Sequence, residues 1–487
     1  MRETSYRRVA GRYSMFAAAG LALLATACGV EIGEAEWSAE IEQPLPRAID
    51  ARRSLAVTDL DILSRFSFER VMTQLAAQSG VPGLTAVQLF QQWWDTQNPG
   101  PGLYEGPHCD DEVSSDYESQ LNGYPYFCRS EAEGTQATCN PFAPNSECAY
   151  IPIGLFNRFD QAPEDGSHCG EHRIVYAKQS GLSSTSDRNL LIFEAALMNP
   201  LPHLGAKGCK KIADIWANLT PVASQSARAG ALERFYFEGQ GGVPPVVSIA
   251  HFGDNALGIG QIRTNQFSHT TTGWSFREFK LLRTCSGSAC SAMHFVPVTN
   301  KTNAFGPLFA PGSTLPAAVD FPAFFLTQVE SLASATSLPD ISLQVPDVYN
   351  SAQSQASGST AYEMRYLDHF GGDLQTNVQA ALTTLGSSLT PEQIVLRAQS
   401  QSCAGCHRLN NSVYLGGDLT WTPSLGFTHV TERETEVVGG VVRYRLSDAL
   451  INDLLPRRTQ ILQDFLSDTP RPSKGPKVPL SGSHSHG

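Results

Sequence analysis

The sequence predicts an α+β protein with helices in its N-terminal part, a disulfide-rich and β-rich middle domain, and a small all-α domain near its C-terminus. The two flanking parts carry apolar residues at the three- and four-residue spacing of amphipathic helices. The middle part instead carries short β-branched or aromatic segments separated by turn residues. The chain has 487 residues, of which 41% are hydrophobic, so it is long enough for several packed domains.

Residues 1–27 have the composition of an export signal. Four arginines precede an apolar run from Met15 to Ala27, which is too short to cross a bilayer as a helix. The stretch Leu24-Ala25-Thr26-Ala27-Cys28 resembles a bacterial lipobox, which implies acylation of Cys28. The alternative is ordinary cleavage after Ala27. We therefore expect a lipid-anchored protein of the bacterial cell envelope that faces the periplasm or the exterior.

A polar tether over residues 28–53 leads into a helical and disulfide-rich N-terminal region over residues 54–148. Ser67 precedes one amphipathic pattern, and Thr85 opens a Thr-x-x-Gln capping box before a second. From Asn98 onward, glycine, proline and cysteine predominate, which predicts an irregular loop stapled by disulfides.

Cysteine usage supports an oxidising compartment. Eleven cysteines are present; Cys28 and a pair near the C-terminus have other expected roles, which leaves eight. An even remainder in an exported chain predicts up to four disulfides, although the sequence does not fix their pairing. Pairing between neighbours is the default expectation, with Cys169 and Cys209 joined by elimination. The eight are Cys109, Cys128, Cys139, Cys148, Cys169, Cys209, Cys285 and Cys290.

Residues 149–302 form the predicted β-rich domain. Its candidate strands read IPIGLF, HRIVYA, NLLIFEA, VVSIAHF, GIGQIRT, WSFREFKLL and MHFVPV. Helical patterns interrupt them at residues 210–218 and 224–237. The pattern His168-x-x-Glu171-His172 matches that of one class of zinc peptidases, but a turn precedes it and a strand-like segment follows. A helical zinc site is therefore not expected, and both histidines are expected on a surface turn.

Two further parts complete the chain before a disordered tail at residues 469–487. Residues 303–389 form a helical connecting region. Residues 390–468 begin with a strong helix start, because Thr390 is a capping residue, Pro391 occupies the first helical position and Gln393 can close the box. A second helical pattern follows Ser447 and is expected to break at Pro456.

The chemistry predicted for the chain depends on Cys403-Ala404-Gly405-Cys406-His407. C-x-x-C-H is the signature of covalent c-type haem attachment, since two thiols at this spacing reach the two vinyl groups on one porphyrin edge. Residues 390–468 accordingly resemble a class I c-type cytochrome domain. The resemblance implies one haem c bound through Cys403 and Cys406, with His407 as an axial iron ligand. Alternatives are a disulfide or half of a zinc site.

The second axial ligand is left open by the sequence. The family commonly uses a methionine downstream of the motif, but the last methionine here is Met364, which precedes it. His429, in a glycine-rich loop, is the predicted ligand. The alternatives are a vacant or water-bound position, Met364, His369, or the tail histidines His484 and His486. In the same loop Trp421, Leu425 and Phe427 could cover a porphyrin or fill the core.

The leading functional hypothesis is an electron-carrying lipoprotein with a redox protein partner in the cell envelope. A haem enzyme of the peroxidase or oxygenase type is a second hypothesis, although only one attachment motif is present. A surface binding or sensing lipoprotein with an accessory haem is a third.

Residues 1–27 carry a net positive charge, so the rest of the chain is more acidic than the total of −12. The absence of a basic stripe with interleaved aromatic residues argues against a nucleic-acid partner. An acidic surface suits a basic redox partner, or it only confers solubility.

Overall fold

The computed structural model describes residues 47–467 except 117, 130–131, 268–272 and 359–360. The described residues form one compact unit. Within the described ranges, no helix combines the length and the apolar character needed to cross a membrane. The helices are α1 Ala51–Ser54, α2 Leu60–Leu63, α3 Phe68–Gln78, α4 Ala86–Asp95, α5 Ala132–Thr135, α6 Lys210–Ala217, α7 Gln225–Phe237, α8 Phe321–Ser334, α9 Tyr366–His369, α10 Gly372–Thr384, α11 Pro391–Gln399 and α12 Leu455–Leu466.

An eight-stranded antiparallel sheet organises the fold. Its strand order is β1-β4-β5-β6-β7-β8-β10. Strand β9 also pairs with β8, along the residues of β8 that follow those paired with β10. Three two-stranded hairpins, β2-β3, β11-β12 and β13-β14, lie outside it. The strands are β1 Ala56–Val57, β2 Gln120–Leu121, β3 Tyr124–Pro125, β4 Tyr150–Arg158, β5 His168–Lys178, β6 Asn189–Met198, β7 Gln261–Gln266, β8 Ser275–Ser286, β9 Ala289–Val298, β10 Ser354–Gln355, β11 Tyr414–Gly416, β12 Leu419–Thr420, β13 Val430–Val438 and β14 Val441–Leu446.

One face of the sheet is apolar and is covered by the N-terminal helices. Trp93 of α4 stacks on Phe295 with ring centroids 4.3 Å apart and meets Phe193 and Phe279 edge-on at 6.1 and 5.7 Å. The predicted capping residues Ser67 and Thr85 both cap their helices, and Thr85 forms the complete capping box. The two tryptophans of α4 are therefore core residues, because they face the sheet and are fully buried.

The opposite face of the sheet carries a row of buried charges. Arg173 of β5 lies 3.0 Å from Glu194 of β6. Arg263 of β7 lies 3.3 Å from Glu194 and 2.9 Å from Glu278 of β8. These residues face one another across adjacent strands, so positive and negative groups alternate. Charges this deeply buried persist only when they are paired, and the chain segment that covers them is the C-terminal region.

The prediction of a small all-α cytochrome c-like domain near the C-terminus is wrong. Residues 390–467 contain α11 and α12, but the hairpins β11-β12 and β13-β14 lie between them. The segment TEREТEVVGGVVRYRL alternates in the manner of a strand pair, and Gly439 and Gly440 adopt the positive φ of a two-residue hairpin turn. β13 also joins the body of the molecule, since Glu432 is paired with Arg188.

Two local predictions also need correction. The segment VVSIAHF is not a strand, because the backbone N–H groups of Val246 and Val247 donate to carbonyls at the end of α7. Pro456 does not break its helix. The chain passes through a π-helical turn, Ala449–Leu454, into α12, where Pro456 stands in the first turn and needs no hydrogen-bonded N–H. A short apolar run and a lone proline are ambiguous signals until tertiary contacts decide them.

The prediction of disulfides in this chain is confirmed. The four bonds join Cys109 to Cys128, Cys139 to Cys148, Cys169 to Cys209 and Cys285 to Cys290. The predicted export signal, the predicted acylation site Cys28, most of the predicted tether and the tail with His484 and His486 lie outside the described residues.

Candidate functional site

The C-x-x-C-H motif follows α11, and its last three residues lie in a π-helical turn. The Thr390 capping box is formed as predicted, and α11 ends at Gln399. Gly405–Leu409 then form the π-helical turn, a rare conformation that is frequent at functional sites. Gly405 is required there, because a Cβ atom at this position would collide with the backbone carbonyl of Gln399. The motif is therefore held in a compact, fixed backbone.

Cys403 and Cys406 are the free cysteines among the described residues. Asn303 accepts a hydrogen bond from the Cys403 N–H at 3.2 Å, and Ser354 accepts one from Ala404 at 3.0 Å. Burial raises the pKa of Cys403 to about 12 and that of Cys406 to about 11. Both groups are therefore neutral thiols at physiological pH.

His407 is oriented by a backbone carbonyl. Its Nδ1 lies 2.7 Å from the carbonyl oxygen of Phe427, which can only accept, so Nδ1 carries the proton and Nε2 keeps its lone pair. Burial also lowers the pKa of His407 to about 4. A neutral imidazole with Nδ1–H bonded to a carbonyl is the state in which histidine ligates a metal through Nε2.

The carbonyl that orients His407 is held by a strained residue. Phe427 has φ of 75°, in the left-handed region that a bulky residue rarely adopts. Its carbonyl also accepts a hydrogen bond of 3.1 Å from Asn265 Nδ2, and Asn265 Oδ1 accepts one from Trp274 Nε1 at 2.6 Å. The sheet therefore fixes the orientation of the imidazole through this short chain of hydrogen bonds.

His429, predicted as the second axial ligand, lies beside His407. Their ring centroids are 4.8 Å apart, Nδ1 of His429 lies 2.8 Å from Ser447 Oγ, and Nε2 lies 3.4 Å from Cys406 Sγ. Burial, and then the neighbouring His407, lower the pKa of His429 well below its usual value. Metal–imidazole bonds of about 2 Å would place two opposed ring centroids farther apart than this, so joint ligation of one iron requires the rings to separate.

The other candidate axial ligands differ in position. The thioether of Met364 is buried and accepts a 3.3 Å hydrogen bond from Asn303 Nδ2, so the structure brings it close to Cys403. His369 instead contacts the carbonyl of Tyr362 at 3.0 Å, and no described contact links it to the motif.

The residues of the sheet that face the motif were not predicted from the sequence. Phe276 and Trp274 lie 5.4 and 5.8 Å from the His407 ring, and Arg263 and Glu278 act electrostatically on Cys403. These residues belong to the middle region, to which the sequence analysis assigned no task. The strand sequences alternate charged and apolar residues, which predicts that one face of the sheet is charged. This alternation does not predict which part of the chain covers that face.

Two alternatives for the cysteine pair find no support in the geometry. Among the described residues, one group has ligand atoms close enough for a metal, Cys109, Asp110 and Cys128, and its sulfurs form a disulfide. Cys403, Cys406, His407 and His429 do not converge in that manner. Cys403 and Cys406 are also free cysteines and are not joined to each other in a disulfide.

The H-x-x-E-H pattern was expected not to be helical, and the structure places it on a strand. His168 and His172 lie on strand β5, not on a helix, and Cys169 is bonded to Cys209. The expectation of a surface turn is wrong for His172, which is fully buried and accepts a hydrogen bond from Trp216 Nε1 at 2.9 Å.

The residues around the motif fit a covalently attached haem by their donor chemistry. They provide two free thiols at the attachment spacing, an imidazole with an available Nε2, and aromatic side chains at van der Waals range. No known protein family, curated protein or solved structure matches this chain.

Proposed function

We propose that the protein is an electron carrier that binds one haem c covalently through Cys403 and Cys406, with His407 as an axial ligand. The observation that carries the proposal is the pair of unpaired cysteines beside an imidazole whose Nδ1–H is fixed by the Phe427 carbonyl. In this proposal Cys28 anchors the protein to a membrane of the bacterial cell envelope through lipid. Its partner is a redox protein of that compartment.

Each residue of the site has a distinct part in this proposal. The haem iron supplies reversible one-electron exchange. The thiols bond the group to the chain, so it cannot dissociate during exchange. Phe427 and Asn265 fix the His407 ring, and the aromatic rings of Trp274 and Phe276 exclude water on the sheet side. Cys406 and His407 remain partly exposed, which leaves an edge for a partner.

We further propose His429 as the second axial ligand, because its ring is adjacent to that of His407. Two imidazoles give a lower potential than an imidazole with a methionine. A carrier with this ligation therefore accepts electrons only from strong donors.

The proposal is tested with protein produced together with the c-type haem maturation machinery. We expect the wild type to retain haem after denaturation, and Cys403→Ser/Cys406→Ser to lose it. His429→Ala should keep the haem but change the visible spectrum from low spin to high spin. His369→Ala is the matched control, since that ring contacts Tyr362 and no described contact links it to the motif, and its spectrum should equal that of the wild type.

Two results would contradict these statements separately. Fully matured wild-type protein without covalent haem would refute the attachment. An unchanged spectrum in His429→Ala would remove His429 from the iron while leaving Cys403, Cys406 and His407 in place, and Met364→Leu would then be the next variant.

A haem enzyme is the second candidate, and the charged residues of the sheet near Cys403 favour it. Arg263, Glu194 and Glu278 lie on the side of Cys403, where a guanidinium could polarise a bound oxidant. A high-spin wild type that binds cyanide and consumes peroxide would support this candidate. A low-spin spectrum that is insensitive to cyanide would support the electron carrier.

A further inference from the structure

The end of the β13-β14 hairpin is an exposed apolar surface. Residues 437–442 read VVGGVV and carry no polar side chain, and we call them the hairpin tip. Val437 is 69% exposed, Val438 48% and Val442 42%. Single exposed valines are common on protein surfaces, whereas adjacent ones form a patch. Such patches mark places where a protein contacts a membrane or another protein.

The backbone of the hairpin tip is paired within the hairpin. Val437 pairs with Val442, and Val438 pairs with Val441, on either side of the two-glycine turn. The two strands therefore satisfy many of each other's N–H and C=O groups. Unpaired backbone groups are costly in an apolar medium, so a paired ribbon enters one more readily than an irregular loop of the same length.

The charged residues beside the hairpin tip are engaged with one another. Arg443 donates to Glu436 at 2.8 Å, and Arg52 donates to the same oxygen of Glu436 at 2.9 Å. Glu434 lies 2.6 Å from Arg445. Both signs of charge are present in nearly equal number, and the tip itself is uncharged. The tip is therefore suited to an apolar medium rather than to a strongly charged partner.

The N-terminal end of the described chain lies against this hairpin. Thr58 Oγ1 donates to the Tyr444 carbonyl at 2.8 Å, and the Tyr444 N–H donates to the Thr58 carbonyl at 3.0 Å. Arg52, which contacts Glu436 next to the tip, follows the first described residue, Arg47, by only five positions. The preceding part of the chain therefore joins the described structure beside the hairpin.

We propose that the hairpin tip inserts into the interface of the membrane to which Cys28 anchors the chain. The inference rests on that part of the proposed function. Cys28 precedes Arg47 by 19 residues, which span at most about 65 Å, so acylation keeps the tip close to one bilayer. Insertion is then an intramolecular step, for which a small apolar surface is sufficient.

Insertion of the hairpin tip would also orient the candidate site. His429 directly precedes β13, and Ser447 directly follows β14, so both residues lie at the base of the hairpin. A hairpin fixed in the bilayer at its tip therefore determines which side of the site faces the membrane.

The first experiment places a tryptophan in the hairpin tip. Acylated, haem-free protein with Val437→Trp is reconstituted into vesicles of phosphatidylethanolamine and phosphatidylglycerol that contain brominated phospholipid, which quenches tryptophan on contact. The fluorescence added to that of the parent protein should fall by about half or more. Val319→Trp is the matched control, at a valine 80% exposed before α8, and should stay unquenched. Equal quenching at both positions would overturn the inference.

The second experiment makes the hairpin tip polar while keeping its shape. In Val437→Trp protein, Val438→Thr/Val442→Thr replaces one methyl group of each valine by a hydroxyl and keeps the β-branched side chains that suit a strand. The ratio of quenched to unquenched tryptophan should fall about tenfold, because two hydroxyls would enter the interface. Val113→Thr/Val348→Thr, at valines 48% and 53% exposed outside the hairpin, should leave the ratio unchanged. Equal ratios in these two variants would contradict insertion through the valines.

Mass spectrometry of Cys28 separates the inference from the proposed function. Cys28 without acyl chains would refute the anchor and the inference together. Acylated Cys28 with an unquenched Val437→Trp would refute the inference alone, and the valines would then be assigned to a protein partner. Failure of haem attachment would leave the inference in force, because both experiments use haem-free protein.

Discussion

At the scale of single residues, the candidate site depends on a few side chains held in costly conformations or environments. Phe427 adopts a positive φ, which costs of order 1–3 kcal/mol and is retained only where surrounding contacts enforce it. The enforcing contacts are those of its carbonyl with His407 and Asn265. The cost of the backbone conformation is therefore tied to the orientation of the proposed iron ligand.

Glu363, next to Met364, gives a pH-dependent prediction. Burial, with a smaller contribution from Glu118, raises the pKa of Glu363 from 4.5 to about 7. The folded state therefore binds more protons than the unfolded state between these values, so stability falls as pH rises from 4.5 to 7. Glu363→Gln removes this penalty and should stabilise the protein at pH 8 by up to about 3 kcal/mol.

The measurement is the free energy of unfolding of wild type and Glu363→Gln between pH 4 and pH 8. The gain should disappear below pH 4.5, where the protonated Glu363 of the wild type is as uncharged as the glutamine of the variant. Glu330→Gln, an exposed position on α8, is the control and should show no such trend. A gain that does not depend on pH would contradict the assignment to Glu363.

At the scale of elements, the hairpin β13-β14 is the feature that distinguishes the C-terminal region from an all-α domain. It is fixed to the body of the molecule by Arg188 and Glu432, whose bidentate bonds measure 2.6 and 3.0 Å and whose side chains are buried. Val430, where β13 begins, directly follows His429. The hairpin therefore determines where His429 lies relative to His407.

Glu432→Gln tests the role of this buried pair. The substitution leaves the Arg188 cation buried without its counter-charge, so we expect destabilisation of about 3–5 kcal/mol. Glu434→Gln is the matched control on the same strand, because Glu434 pairs with Arg445 at the surface, with side-chain exposures of 55% and 46%. Loss of that pair should change stability by at most about 1 kcal/mol.

Chemical denaturation of the two variants provides the comparison. Similar losses in Glu432→Gln and Glu434→Gln would show that the buried pair does not fix the hairpin. In haem-loaded protein, Glu432→Gln should also change the visible spectrum if His429 binds the iron, because the hairpin positions that ring.

At the scale of the whole molecule, one sheet packs against both the N-terminal helices and the C-terminal region. Its apolar face packs on the N-terminal helices, and its charged face is covered by the C-terminal region that carries the attachment motif. A single buried cluster extends from Leu55 to Phe465. The middle region is therefore not a separate appendage of the site but supplies its wall.

Disulfides constrain this assembly to different extents. Cys169 and Cys209 close a loop with a sequence separation of 40, whereas Cys285 and Cys290 are separated by 5. Chain entropy alone predicts stabilisation of about 4 kcal/mol for the first and about 2 kcal/mol for the second. Cys169→Ala/Cys209→Ala should therefore lower the free energy of unfolding about twice as much as Cys285→Ala/Cys290→Ala. Denaturant titrations check this, and equal losses would contradict it.

The sequence by itself determined the local features of this protein. Capping residues Thr85 and Thr390 predict helix starts that the structure contains, because a cap depends on residues within one turn. The spacing of Cys403, Cys406 and His407 predicts covalent haem attachment from five consecutive residues, and this stays a prediction. The β13-β14 hairpin could also have been predicted from the sequence, since Gly439-Gly440 separates two alternating segments. It was missed because the resemblance to an all-α domain was extended beyond the motif.

Only the tertiary structure decided what surrounds the motif. Phe276 and Asn265 approach the motif from two different strands, separated from it by more than a hundred residues. No periodicity records such contacts, because periodicity reports which face of an element is buried and not which partner buries it. The charged face of the sheet illustrates the difference. The alternation of charged and apolar residues along a strand is a local feature, whereas the position of these charges near Cys403 arises from packing over long sequence distances.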